Sequence, residues 1–159
     1  MKHLLGFSLV ALMPVMAAAQ TLTPVDEAGY QKLIQGQKGS VVVVDFWATY
    51  CKPCRAEMPQ LVKLTERLKA KGLKFVTISA DEPEAEGTAR KFLAETGATA
   101  VPAYVKRAKD DDKFIDAIDP KWQGALPALF IYDRTGKKVR AFIGESSMAQ
   151  VEAAIQKVL

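Results

Sequence analysis

The segment Val41-Val42-Val43-Val44-Asp45-Phe46-Trp47 constrains the fold of this chain more than any other stretch. β-branched and aromatic side chains favour extended backbone. An apolar run without alternation predicts a strand covered on both faces, as in a parallel sheet. Helices must then lie on both sides of that sheet. The next segment supplies one of them. From Pro53 to Lys71 the residues Met58, Leu61, Leu64 and Leu68 recur at helical spacing, Gly72 stops the run, and Pro59 is expected to kink it.

The remaining elements are read from the same kinds of signal. Val25 to Gly36 predicts a short helix with Asp26 as its N-cap and Gly36 as its stop. Lys74 to Ala80 predicts a second buried strand, and Glu84 to Thr96 a helix ended by Gly97. Ala98 to Asp112 reads as irregular, followed by a helical turn or two over Lys113 to Ile118. Ala128 to Tyr132 and Lys137 to Ile143 flank the turn Asp133-Arg134-Thr135-Gly136 and predict an antiparallel hairpin. Ser147 to Leu159 closes the chain as a helix with Met148, Val151, Ile155 and Val158 on one face. A βαβ unit followed by a ββα unit predicts an α/β fold, a mixed central sheet with helices on both faces.

With 159 residues, 49% of them hydrophobic, the chain suits one domain. The net charge is +4, but the basic residues alternate with acids, as in Lys63-Leu64-Thr65-Glu66-Arg67, so no basic stripe is available for nucleic acid. Two cysteines and one histidine fall short of the four ligands of a structural zinc site, and no metal is expected. Residues 1–19 read as a signal peptide: Lys2 and His3, the apolar run Leu4 to Met16, then Ala17-Ala18-Ala19 before a cleavage that leaves Gln20 first. That apolar run is shorter than the roughly 20 residues a membrane-spanning helix needs. Residues 20–159 are then one domain, working outside the cytosol, where disulfides persist.

Both cysteines lie in Cys51-Lys52-Pro53-Cys54, directly after the buried strand and at the start of a helix. A helix amino terminus offers unpaired N–H groups and partial positive charge. Both stabilise a thiolate, so Cys51 is expected to be the nucleophile. Cys54, one turn on, is better shielded and is expected to resolve the mixed disulfide. Pro53 suits the first turn, where its missing N–H costs nothing. So short a loop constrains the unfolded chain little, which makes the pair a poor staple and a good redox switch.

Val44-Asp45-Phe46-Trp47-Ala48 followed by Cys51-Lys52-Pro53-Cys54 resembles the active site of the thioredoxin family, and the likeness runs from about residue 25 to the end. The resemblance implies a thioredoxin-like three-layer sandwich. In that family the acid matching Asp45 lies beneath the disulfide with a raised pKa and assists deprotonation of the second cysteine. Cys54-Arg55-Ala56-Glu57-Met58-Pro59 resembles the C-x-x-E-x-P of the TlpA/ResA-like branch of exported thioredoxin-like reductases, whose glutamate tunes the disulfide. Many of that branch carry Asn at the Asp45 position, so whether Asp45 or Glu57 serves Cys54 is open. Pro127, in Leu126-Pro127-Ala128, matches the family's cis proline. It faces the disulfide, and the backbone of the preceding residue pairs with bound peptide. Pro102 is the other candidate, but a strand and hairpin follow Pro127. Tyr50 stands where the family usually has Trp. The resemblance thus implies a substrate-binding face of Leu126, Pro127, Tyr50 and Trp47. The connecting region, Val105 to Gly124, is longer than in a minimal thioredoxin. Its acids Asp110, Asp111, Asp112, Asp116 and Asp119 read as a solvated face, and Trp122 as packing near the site.

The implied activity is extracytoplasmic thiol–disulfide exchange, in the direction of reducing oxidised substrate proteins, apocytochrome c among those the resemblance suggests. A membrane electron donor would re-reduce the pair, and no cofactor beyond the Cys51–Cys54 disulfide is expected. An oxidase or isomerase on the same fold, and a non-catalytic binding protein, are the alternatives. A peroxidase of the P-x-x-x-T-x-x-C kind fits less well, because Thr49 lies only two residues before Cys51 with no proline at the required place.

Overall fold

A computed structural model describes residues 20–159; the signal-peptide reading of residues 1–19 lies outside them. The elements are β1 (Thr23–Val25), α1 (Glu27–Gln35), β2 (Val41–Trp47), α2 (Lys52–Leu68), β3 (Leu73–Ser79), α3 (Glu86–Glu95), β4 (Ala103–Lys106), α4 (Asp111–Ile118), β5 (Ala128–Tyr132), β6 (Lys138–Ile143) and α5 (Met148–Gln156). The six strands form one sheet in the order β1-β4-β3-β2-β5-β6.

β2 lies at the centre. It pairs in parallel with β3 from Val41↔Leu73 to Trp47↔Ser79, and antiparallel with β5 from Val42↔Tyr132 to Phe46↔Ala128. All seven of its residues are buried, which is why the segment could not alternate apolar with polar. Its two-residue period divides the core. Val41, Val43 and Trp47 face Met58, Leu61 and Leu64 of α2, Phe92 and Leu93 of α3, and Val151 and Ile155 of α5. Val42, Val44 and Phe46 face Tyr30 and Ile34 of α1 and Phe114 and Ile118 of α4. The result is the three-layer sandwich expected, with α2, α3 and α5 on one side and α1 and α4 on the other.

Most expected elements recur with small shifts. Asp26 caps α1, accepting the Gly29 N–H at 2.8 Å, but Val25 belongs to a strand instead of the helix. Helix α2 continues across Pro59. Two strands, β1 and β4, lay hidden in the sequence. They have three and four residues, too few for a two-residue period to show. β4 lies in a stretch read as irregular and becomes a strand by pairing in parallel with both β1 and β3. The aspartates of the connecting region sit around α4, where Asp110 is the N-cap and accepts the Lys113 N–H at 3.1 Å.

Phe46 is the hub of an aromatic cluster beneath the sheet. Its ring centroid lies 4.8 Å from Trp122, 5.7 Å from Phe130, 5.9 Å from Tyr30 and 6.2 Å from Phe114. Trp122 is thus a core residue of the second layer, with its indole N–H donating to the Ala125 carbonyl at 2.9 Å. Phe46→Ala leaves a cavity among four rings and is expected to cost about 3–5 kcal/mol. Urea unfolding with the disulfide intact measures this; a loss below about 1 kcal/mol would mean the cluster collapses into the space.

Candidate active site

The disulfide is built where β2 hands over to α2. The Cys51 N–H donates to the Ala48 carbonyl at 3.1 Å, which closes a turn through Thr49 and Tyr50. Cys51 is the N-cap of α2 in extended conformation, with Lys52 and Pro53 in the first turn. Its Sγ accepts the Cys54 N–H at 3.3 Å. Cys51 and Cys54 are joined, with Cα atoms 5.3 Å apart. Cys51 is 8% exposed and Cys54 1%. A sulfur that already accepts a helix-terminal N–H is held where charge on it is stabilised. Of the pair, Cys51 is the one a partner can reach.

Two acids lie under this pair. Asp45 alternates with Val43 and Trp47 on β2, so its carboxylate points to the α2 side of the sheet. It is 1% exposed, and its Oδ1 has no hydrogen-bond partner among the described residues. Burial holds it well above the usual carboxylate range, and the charge of Glu57 raises it further. Thr77, the register partner of Asp45 on β3, also has an unpartnered hydroxyl. Glu57 is one helical turn beyond Cys54 and is buried. It is pushed up to about 7, first by burial and then by the negative charge of Glu145. Glu57 and Glu145 share a cavity of about 100 Å³ with Pro53 and Gln60. Asp45 and Glu57 thus both stand near the disulfide as groups that retain protons where ordinary carboxylates do not.

Leu126–Pro127 is the one cis peptide bond among the described residues; Pro102 is not cis. β5 begins at the next residue, and the Pro127 carbonyl accepts the Gly144 N–H at 2.8 Å. Leu126, Tyr50, Phe46, Phe114 and Trp122 line one cavity of about 220 Å³. Tyr50 is 75% exposed beside the disulfide. Trp47 departs from expectation. It is fully buried, its ring stacked on Phe92 at 4.3 Å, and it presents nothing to a partner. The period of β2 turns it inward, so it supports the site from beneath. Two acids escaped the sequence reading. Glu145 follows the last strand of the hairpin and carried no motif. Asp81 stands in the run Asp81-Glu82-Pro83-Glu84 and carried no motif; the end of β3 brings it to Thr49.

Residues 15–141 match the family model described as AhpC/TSA. The chain is 33% identical over 153 residues to the thiol-disulfide oxidoreductase ResA of Bacillus cereus (strain ZK / E33L), covering 92% of this chain and 79% of the relative. It is 31% identical over 159 residues to the protein of the same name from Bacillus cereus (strain ATCC 10987 / NRS 248), covering 96% and 83%. Among solved structures, a proposed thiol:disulfide interchange protein DsbE from Chlorobium tepidum matches with a TM-score of 0.60 at 28% identity, covering 89% of this chain and 94% of that one. A thioredoxin-family thiol:disulfide interchange protein from Chlorobium tepidum TLS shares the fold, with a TM-score of 0.64 at 22% identity over 90% and 99% of the two chains. This chain belongs to the AhpC/TSA family, and with its Cys51–Cys54 disulfide it is a thiol–disulfide oxidoreductase of thioredoxin-like fold.

The raised carboxylate of Glu57 makes stability depend on pH in a stated direction. Below about 4.5 both folded and unfolded chains hold the proton; between there and about 7 only the folded chain does. The folded state then binds more protons, so the contribution of Glu57 to stability falls as the pH rises through that window and levels off above it. Glu57→Gln removes this slope, and the gain over wild type at pH 8 is at most about 3 kcal/mol. Urea unfolding at pH 4, 6 and 8 measures it. Parallel curves for the two proteins would show that Glu57 is not held protonated.

Proposed function

We propose that the chain works outside the cytosol as a reductase of protein disulfides, with Cys51 as the attacking thiol and Cys54 as the resolving one. The observation that carries this reading is the asymmetry of the pair. Cys51 caps the amino end of α2 and retains 8% of its surface, while Cys54, inside the first turn, retains 1%. The Cys51 thiolate attacks a substrate disulfide, forming a mixed disulfide and expelling one substrate thiolate. Cys54 gives up its proton to a carboxylate beneath it and attacks Cys51 Sγ. The second substrate sulfur leaves, and Cys51–Cys54 is closed. Two electrons have passed from the enzyme dithiol to the substrate.

The direction rests on electrostatics and on relatives. Carboxylates near the sulfurs disfavour thiolate charge, and the Lys52-Pro53 spacer holds no histidine to stabilise it. A reduced pair with little thiolate stabilisation is the less favoured form, hence a reductant. Relatives 31–33% identical to this chain bear the name ResA. Oxidised extracytoplasmic proteins are the substrates, apocytochrome c among them, docking across Leu126, Pro127 and Tyr50. A membrane electron donor restores the dithiol, and the disulfide is the only redox group required.

The potential of Cys51–Cys54 is expected nearer that of thioredoxin, about −270 mV, than that of DsbA, about −120 mV. Titration against glutathione reads it, and a value above roughly −160 mV would make the protein an oxidase. Cys54→Ser is expected to trap mixed disulfides that Cys51→Ser does not; the reverse pattern by mass spectrometry would exchange the two roles. Asp45→Asn is expected to slow release of the mixed disulfide more than the first attack, with Glu57→Gln as the comparison. If only Glu57→Gln alters the pH dependence of release, Glu57 is the working acid; if neither does, both acids are structural.

A further inference from the structure

The turn that carries Tyr50 and Cys51 has an anchor that the exchange chemistry above does not use. Asp81 lies two residues past the end of β3 and is 3% exposed. The Thr49 backbone N–H donates to its Oδ1 at 3.1 Å and to its Oδ2 at 3.0 Å. The Thr49 hydroxyl donates to Oδ1 at 2.7 Å, and the Ser79 hydroxyl to Oδ2 at 2.7 Å. The Asp81 N–H returns to Ser79 Oγ at 3.0 Å. Arg107 Nη1 donates to the Asp81 carbonyl at 3.0 Å while its Nη2 pairs with Glu86 at 2.8 Å, which fixes the Asp81 backbone from the side of β4 and α3. Among the described residues, no cation pairs with the carboxylate itself.

A buried carboxylate without a cation is costly unless hydrogen bonds satisfy it. Here three of those bonds come from Thr49, two residues before Cys51. Parallel pairing brings the two ends together: Trp47 and Ser79 are register partners, and the Ala80 N–H continues the ladder to the Trp47 carbonyl at 2.8 Å. In the oxidised protein the bond to Cys54 also holds Cys51 in place. Reduction removes that covalent tie. The turn then depends on the Cys51–Ala48 hydrogen bond and on the grip of Asp81 on Thr49.

We propose that Asp81 is a positioning residue for the attacking thiol: by holding Thr49 it keeps Cys51 Sγ on the amino end of α2 once the disulfide is open. This rests on the assignment of Cys51 as the attacking thiol. A sulfur that drifts from the helix terminus loses the N–H groups and dipole that favour its thiolate. Positioning and charge make opposite predictions. Removing a nearby negative charge would ease thiolate formation, whereas removing the grip would hinder it.

The test is the rate of iodoacetamide alkylation of the reduced protein as a function of pH, with mass spectrometry identifying the cysteine modified. Asp81→Ala is expected to slow Cys51 alkylation at pH 7 by about tenfold, the change in thiolate fraction for one unit of pKa. Asp81→Asn keeps a carbonyl oxygen to accept from Thr49 and is expected to restore most of the rate. Thr49→Val, which loses only the hydroxyl bond, is expected to fall between wild type and Asp81→Ala. Faster alkylation in both Asp81 variants would show that Asp81 acts through its charge and would overturn the proposal. So would an unchanged pH profile in Asp81→Ala or, should that variant not fold, in Thr49→Val. Preferential alkylation of Cys54 in the wild type would instead overturn the assignment on which the proposal rests, and would be visible before any variant is made.

Discussion

A strand buried on both faces has to hydrogen-bond on both edges and be covered above and below, and β2 imposes that requirement on the rest of the chain. Its parallel pairing with β3 requires α2 as the crossover, and its antiparallel pairing with β5 turns the second half of the chain back into a hairpin. The crossover starts at the carboxyl end of β2, so the amino end of α2 opens where a parallel sheet offers its crevice. The disulfide occupies that point. Its chemistry therefore derives from the same geometry that fills the core.

Beneath that point the sheet is not wholly apolar. Asp45, Thr77 and Trp47 each hold a polar atom without a partner among the described residues, all from β2 and the neighbouring β3. An acid in such a place favours its protonated form, because burial penalises the charge more than any nearby group rewards it. Asp45, Glu57 and Glu145 are influenced in sequence from core to surface, each acid raising the next one inward. Proton affinity beside Cys54 thus depends on neighbouring carboxylates as well as on burial. This is a physical reason for an exchange enzyme to keep two acids where one would satisfy the fold.

The cavity lined by Leu126, Tyr50, Phe46, Phe114 and Trp122 joins the connecting region to the turn that precedes Cys51. Phe46, Phe114 and Trp122 are core residues, and Tyr50 is exposed, so this cavity is seated directly on the second layer of the core. Substitution in α4 would therefore change both packing and the shape of that cavity.

Much was legible in the sequence. The valine run, the helical spacing of Met58, Leu61, Leu64 and Leu68, and the turn Asp133–Gly136 are local patterns, and each reports burial or backbone geometry that neighbouring residues enforce. The cysteine pair was legible for the same reason, since four consecutive residues contain the whole redox group. The short strands β1 and β4 were not, because pairing across the sheet makes them strands. Nor were the inward turn of Trp47, the burial of Glu57 or the hold of Asp81 on Thr49. The sequence by itself determined the order of the longer elements and the site of the chemistry, both encoded by residues close together along the chain. Tertiary structure decided which acids surround the disulfide and in what state of protonation, because desolvation and charge coupling depend on what lies across space. Asp45, Glu57 and Glu145 come from a strand, a helix and a distant turn, and only the packed sheet brings them together.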